Sequence, residues 1–308
     1  MVTYNAVALL PDVLTRLLVV TNYPAVRWLV VDNASTDGTA DMVAQQFPQI
    51  RVERMAANLG YPAALNRAIA LAETDLVAQV NPDVLVESDW LAPLVEALLR
   101  APNIGMTGGR ILNSDGTTQF CGTRLHPLYG LLGNRFPFDP GNHEAEVDFH
   151  SPLFLVRKTA WQVANGMNEL YSPGYYEDAE LGWNLRRTGW RVLFVPASRA
   201  VHLGSASFGR LARHDFMRIY ERNRLLFVFR NFPTTWLTLH VLLEGIKAVE
   251  CLLRGYFREY LAAWREIFHR RAEIRLFRAT WQHTDSIRNR RCRQSAGQGE
   301  KTHVAHRN

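Results

Sequence analysis

Apolar residues along the first two-thirds of the chain follow two rhythms in turn. Leu9, Leu10, Val13, Leu14, Leu17 and Leu18 recur at the spacing of one helix face, predicting a helix over 6–20. The continuous run Trp28-Leu29-Val30-Val31 predicts a buried strand that closes on an acid, Asp32. Helix, strand and helix patterns then follow over 39–47, 50–53 and 63–72. The run Leu76-Val77-Ala78-Gln79-Val80 reads as a further strand, stopped at Asn81-Pro82 because proline cannot extend a central strand. A helix is expected over 89–100, strands over 105–112 and 149–156, a helix from 179 to 188, and strands over 192–196 and 201–204. From 213 to 230 the pattern is helical and basic, and 236–277 reads as a helical pair.

Strands alternating with helices at this spacing imply βαβ units and a mostly parallel, Rossmann-like sheet. The polar loops that follow the strands then gather on one edge, the edge where open α/β sheets bind ligands. Asn33-Ala34-Ser35-Thr36-Asp37-Gly38 is one such loop, with Ser35 or Thr36 as a candidate helix cap. Asp83 stands just past the strand that ends at Val80, where a carboxylate can hold a divalent cation against phosphates. Taken alone, Asn81-Pro82-Asp83 is also an ordinary turn. No GxGxxG run is present, which disfavours a dinucleotide oxidoreductase. Between the strands near 105–112 and 149–156 the chain is aperiodic and rich in Gly, Pro, Asn and aromatics, as expected of a long surface segment over the site. Glu177, Asp178 and Glu180 cluster at the start of the next helix, where negative charge is stabilised.

Charge divides the chain. Residues 1–202 carry 15 Lys and Arg against 20 Asp and Glu, a net −5; residues 203–308 carry 20 against 9, a net +11. A basic C-terminal third calls for an anionic partner. Arg254, Arg258, Arg265, Arg270 and Arg271 interleave with Tyr256, Phe257, Tyr260, Trp264 and Phe268, a mixture suited to a helix lying in an anionic membrane interface, or to a helix packed on the protein with a solvated basic face. The apolar run that starts at Trp236 meets Glu244 and Lys247 too soon to span a bilayer. The acidic rim disfavours nucleic acid as the partner. Cys121, Cys251 and Cys292 are far apart and form no CxxC pair, so neither a disulfide framework nor a zinc site is expected. No signal peptide pattern opens the chain, and a cytoplasmic protein, peripheral on the inner face of the membrane, is expected. Past 285 the composition is that of a disordered tail.

Six motifs in order carry a resemblance. They are Val2-Thr3-Tyr4-Asn5, the run from Val30 to Thr39, Asn58-Leu59-Gly60-Tyr61, Asn81-Pro82-Asp83, the run from Tyr176 to Trp183, and Val201-His202-Leu203-Gly204-Ser205. Together they resemble the family 2 glycosyltransferases, in particular the bacterial rhamnosyltransferase-like branch, over roughly residues 1–232. The resemblance implies a GT-A catalytic domain over 1–232, a basic helical extension over 233–284 and a tail over 285–308.

It also implies an inverting transfer from a nucleotide-sugar to an acceptor hydroxyl. Thr3, Tyr4, Asn5, Asp32, Asp37, Asn58, Gly60, Asn81 and Asp83 match positions that grip the donor. Asp37 reads equally as a turn acid at a helix start. Asp83 and His202 match positions that hold Mg²⁺ or Mn²⁺. Asp178 matches the catalytic base; Glu177 is the local alternative, and Glu180 is expected to orient Arg186 or a loop amide. The donor sugar implied is L-rhamnose from dTDP-rhamnose, and the acceptor a lipid-linked or growing surface polysaccharide. Other donors (UDP-GlcNAc, UDP-galactose, UDP-glucose) and a truncated, inactive scaffold are the alternatives. Two departures stand out. The family has four or five apolar residues before the Val-Thr-Tyr-Asn motif, where this sequence has Met1, so either the chain starts further upstream or a central strand is short. Asn184 stands where the family commonly has arginine.

Overall fold

The computed structural model describes residues 1–126, 128, 130, 138–204 and 212–280. Strand and helix alternate as expected: β1 (Val2–Thr3), α1 (Leu10–Val20), β2 (Trp28–Asp32), α2 (Thr39–Gln46), β3 (Ile50–Arg54), α3 (Tyr61–Leu71) and β4 (Leu76–Val80). Then come β5 (Val84–Val86), α4 (Leu91–Leu99), β6 (Ile104–Leu112), β7 (Thr118–Phe120), β8 (Ala145–Val147) and β9 (Leu153–Arg157). After these follow α5 (Lys158–Val163), α6 (Glu177–Arg187), β10 (Arg191–His202), α7 (Arg213–Asn231), α8 (Thr234–Leu253) and α9 (Phe257–His269). Helix α1 starts at Leu10 rather than at residue 6 because Pro11 takes the first turn, where its missing N–H is harmless; Pro62 plays the same part in α3.

The strands form two hydrogen-bonded groups, β1-β2-β3 and β4-β9-β6-β10-β5, with β7 on β6 and β8 on β10. Pairing is parallel within β1-β2-β3 and between β6 and β10. Strand β9 enters antiparallel between β4 and β6. Alternation along each strand sends neighbouring side chains to opposite faces. Val30, Leu155 and Val195 join Leu10 and Leu14 of α1 and Leu94 and Leu98 of α4 on one side. Val31, Val156 and Phe194 join Leu65 and Ile69 of α3, Trp161 of α5 and Leu185 of α6 on the other. The sheet is therefore covered on both faces, as an α/β architecture requires.

Three local expectations are corrected. The strands expected over 192–196 and 201–204 are one strand, β10, which ends at His202 and passes through Pro196 by a register shift against β6 between Val195 and Arg199; a bulge lets proline stay in a strand. Neither Ser35 nor Thr36 caps α2: Gly38 precedes it at φ +87°, and Asp37 Oδ1 accepts from the Thr39 N–H and hydroxyl. Strand β5, three residues long, was hidden behind the Asn-Pro-Asp turn.

Strand β1 is short. It pairs with β2 only at Val31 and Asp32, whereas β3 pairs with all of Trp28–Asp32. Between β2 and β4 lies a cavity of about 810 Å³, lined by Leu14, Leu29, Leu65, Ile69, Ala78 and Trp90 among others. The backbone groups of two strands and the faces of three helices meet there without a strand between them.

The C-terminal helices share a core with the α/β region. Leu225, Phe227 and Phe232 near the end of α7 pack with Phe149, Tyr171 and Tyr176 and with Ala263 and Ile267 of α9. Inside this layer Arg224 is buried and bonded to Glu221 (2.6 Å), Glu244 (2.7 Å) and the Gly130 carbonyl (2.6 Å). Lys247 reaches Glu221 at 3.3 Å, and Tyr260 donates to Glu244 at 2.8 Å. Removing one partner would strand a buried charge, which costs about 3–5 kcal/mol. The tail expected to be disordered, 285–308, lies outside the described residues.

Candidate active site

The loops after β1 and β2 are knotted together by side chains. Asp32 is buried and accepts from the Ser35 N–H (3.0 Å) and hydroxyl (2.5 Å). Ser35 Oγ in turn accepts from the Asn5 N–H, and Asn5 Oδ1 accepts from the Thr36 N–H, both at 2.9 Å. Asp37 accepts from the Val7 N–H at 3.1 Å as well as from Thr39. Desolvation pushes the Asp37 carboxyl up, but the Thr39 hydroxyl and the Val7 and Thr39 N–H groups outweigh it and hold it below the usual carboxylate range. Thr3 is buried with its hydroxyl oxygen lacking a hydrogen-bond partner among the described residues, while Tyr4 is exposed. An unpaired hydroxyl beside an acid rim is a ready ligand contact.

Asn58 Oδ1 accepts from Asn33 Nδ2 (2.9 Å) and from the Gly60 N–H (3.0 Å), and Asn33 Oδ1 accepts from the Leu59 N–H. Gly60 has φ +88°, and a Cβ there would meet Ser172 Oγ at 2.6 Å. Only glycine lets these two loops close on each other.

Asp83 and His202 meet because β5 and β10 pair antiparallel in the register His202 to Val84. His202 Nε2 lies 3.3 Å from Asp83 Oδ2, and the Leu203 N–H donates to the Asp83 carbonyl. His202 Nδ1 lies 2.8 Å from Gln119 Oε1. An amide oxygen facing Nδ1 favours the tautomer with hydrogen on Nδ1, leaving the Nε2 lone pair towards Asp83. One carboxylate oxygen and one imidazole nitrogen suit Mn²⁺, and such a cation would need its remaining ligands from phosphates and water. Among the described residues no group of three or more His, Cys, Asp or Glu could hold a metal alone.

The acids at the start of α6 act on the same tyrosine as Asp83. The Tyr61 phenol is held well above the usual value, first by burial and then by the charges of Glu177, Asp178 and Asp83. Gln79 Nε2 donates to Tyr61 Oη (3.2 Å) and to Asn81 Oδ1 (3.0 Å), so Asn81 faces this same pocket. Burial pushes Asp178 up to about 6 against opposing hydrogen bonds from the Ala179 N–H and the Ser151 hydroxyl. Glu177 is pushed further up, by burial and then by Asp178; its Oε2 has no hydrogen-bond partner among the described residues.

The backbone that presents these acids is strained. Tyr175 and Tyr176 both sit at positive φ, +76° and +72°, which costs roughly 1–3 kcal/mol per residue and must be held by surrounding structure. Asn223 of α7 holds it, donating to the carbonyls of Tyr171 (2.7 Å), Gly174 (2.8 Å) and Tyr175 (3.0 Å). Arg222 donates to the Ser172 carbonyl. Glu180 does not orient Arg186, which pairs with Asp148. It is a buried hub that accepts from Asn168 (2.6 Å), Tyr171 (3.2 Å), Arg230 (3.0 Å) and Asn231 (2.7 Å). Asn184 is buried and its Oδ1 has no hydrogen-bond partner among the described residues.

Gln119 escaped sequence reasoning, and Tyr61, Asn33 and Asn223 were given no role by it. Only Gln79, a polar residue inside an apolar strand run, was a visible signal of a polar network there.

Comparison with known proteins bears on this arrangement. Residues 1–161 match the sequence profile described as glycosyl transferase family 2. An N-acetylglucosaminyl-diphospho-decaprenol L-rhamnosyltransferase of Mycobacterium tuberculosis is 31% identical over 236 residues, covering 68% of this chain and 76% of that protein. The O-antigen biosynthesis protein RfbC of Myxococcus xanthus is 28% identical over 212 residues, 65% of this chain but only 16% of the longer protein. Among solved structures, GalNAc-T7 with UDP, GalNAc and Mn²⁺ superposes with a TM-score of 0.60 at 16% identity, over 74% of this chain and 46% of that one. The mannosyltransferase PcManGT of Pyrobaculum calidifontis, with GDP-Man and Mn²⁺, gives 0.52 at 17% identity, over 92% and 82%. At these identities the two structures speak for the shared fold.

Proposed function

This chain belongs to glycosyl transferase family 2, and we propose that within it the protein is an inverting, divalent-metal-dependent transferase. The observation that carries this is that Asp83, held 3.3 Å from His202, and the adjacent acids Glu177 and Asp178 all act on one buried phenol, Tyr61. Loops carrying Thr3, Asn5, Asp32 and Asn58 bind the nucleoside; Asp83 and His202 would hold Mg²⁺ or Mn²⁺ against the diphosphate. When bound, the cation supplies Lewis-acid stabilisation of the leaving diphosphate. Asp178 accepts the proton of the acceptor hydroxyl, on the face opposite the leaving group, as inversion demands. Its raised pKa suits a base that must hold the proton during transfer.

The donor we infer is dTDP-L-rhamnose and the acceptor a lipid-linked glycan, supported by the rhamnosyltransferase relative that covers two-thirds of this chain. A uridine diphosphate sugar is the alternative, favoured by neighbours of the same fold crystallised with UDP or UDP-GlcNAc.

The test is a donor screen with purified protein, Mn²⁺ or Mg²⁺, and a lipid-linked acceptor. Transfer should be strongest with dTDP-L-rhamnose, vanish in EDTA and return on adding metal. Full activity in EDTA contradicts the metal role; transfer only from a UDP-sugar contradicts the donor.

A further inference from the structure

The basic extension turns most of its aromatics away from solvent, Phe268 excepted. Tyr256, Tyr260 and Ile267 are buried, and Trp264 packs on Phe229 at 5.3 Å between ring centroids. What it leaves unpartnered is the outer face of α8. Leu239, Leu242, Ile246, Val249 and Leu253 follow one another at intervals of three and four and are between 39% and 82% exposed. Val241 and Leu252 widen the stripe. The charges of α8 point elsewhere: Glu244 and Lys247 are buried in the Arg224 cluster, and Glu250 pairs with Lys247 and Arg254. A patch of this kind is uncommon on a soluble monomer and marks a contact surface.

Two occupants fit a stripe with this spacing. A second copy would make a coiled-coil seam, and such seams are flanked by complementary charges that set the pairing. The flanking positions here are Thr238, Leu243, Gly245 and Leu252, and Glu250 is already engaged within its own chain. A lipid surface needs instead a broad uncharged face bordered by cations. Arg254 ends the stripe, and α9 continues with exposed Arg258, Leu261, Arg265 and Phe268. No helix among the described residues is long and apolar enough to cross a membrane.

We propose that the outer face of α8 lies in an anionic membrane surface, with Leu242, Ile246, Val249 and Leu253 inserted and the arginines of α9 against the headgroups. This deepens the lipid-linked acceptor proposed above: α7 connects the inserted layer to the loop bearing Glu177 and Asp178, so the pocket is held beside the bilayer.

Flotation with vesicles tests it, using the full chain without donor or acceptor. Vesicles are phosphatidylcholine alone or equal parts phosphatidylcholine and phosphatidylglycerol. The chain should float with the anionic vesicles, and Leu242→Glu with Ile246→Glu should cut recovery at least tenfold while leaving the circular dichroism and Tm unchanged. Arg258→Glu with Arg265→Glu should weaken binding to the anionic vesicles only. Undiminished flotation of the Leu242→Glu/Ile246→Glu variant overturns the proposal. So does a lipid-free dimer that the same pair of changes splits, because the second copy then owns the face. Transfer to a water-soluble acceptor should survive in both variants; its loss in every form would count against the acceptor chemistry, not against the membrane surface.

Discussion

Asp178 and Glu177 are adjacent carboxyls in a buried setting, and neither can be discussed alone. Asp178 stands at about 6, above its ordinary 3.8. As the acceptor base it must be ionised, so turnover should fall as pH drops through about 6, with an apparent pKa that belongs to the pair. The same shift has a sign for stability. Between 3.8 and about 6 the folded state holds a proton that the unfolded chain releases. Stability therefore falls as pH rises through that window, and the penalty is complete above it. Asp178→Asn removes the penalty. Its Tm should exceed that of the parent at about pH 8, and the gap should shrink at about pH 5. Thermal melts at the two pH values check this; a variant less stable at the higher pH contradicts it. Asp83 and Asp178 stand where a strand or helix pattern breaks, whereas His202 was singled out by the resemblance alone, inside an expected strand. Gln119 was not, because it reaches His202 across 83 residues of chain and only the packing of β7 against β6 brings it there.

At the scale of elements, α7 supports α6. One side chain, Asn223, satisfies three carbonyls of the turn that feeds the acids into the pocket. Asn223→Ala leaves them without that donor, an expected loss of about 1–3 kcal/mol. Turnover should drop while donor Kd stays near the parental value, since the donor loops follow β1 to β4 and none of their carbonyls is held by Asn223. Equal kcat for variant and parent would separate the turn from the chemistry. The cavity between β2 and β4 makes a second prediction. Ala78 lines it on β4 and is half-buried. Ala78→Val adds volume and a β-branched side chain where both are tolerated, and should stabilise by about 0.5–2 kcal/mol, read as a higher midpoint in urea. Most helices and strands were legible from period alone, but the six-residue α5 was not. Strand β10 was split in the sequence pattern by Pro196, because periodicity cannot see a bulge. Nor could it see β5, which is too short to show a rhythm.

Over the whole molecule, the alternation of strand and helix decides where chemistry can sit. Loops from β1, β2 and β4 and the His202 end of β10 are gathered to one rim by the sheet, and the α6 acids are brought to it by the α7 layer. The α/β class and the family followed from the sequence, since motif order survives where individual contacts do not. The orientation of the C-terminal helices did not follow. Arginine–aromatic interleaving in α9 allowed either a lipid-facing helix or one packed on the protein; core packing turns Tyr260 and Ile267 inward, as in the second, and leaves the apolar face of α8 outside. The central claim is a division of labour: donor on the Asp83 side, acceptor proton on the Asp178 side. It is tested most directly by measuring donor Kd and turnover together in Asp178→Asn. Turnover should fall by about 10²–10⁴ with donor Kd essentially unchanged; donor affinity lost in step with turnover, or turnover retained, would contradict it.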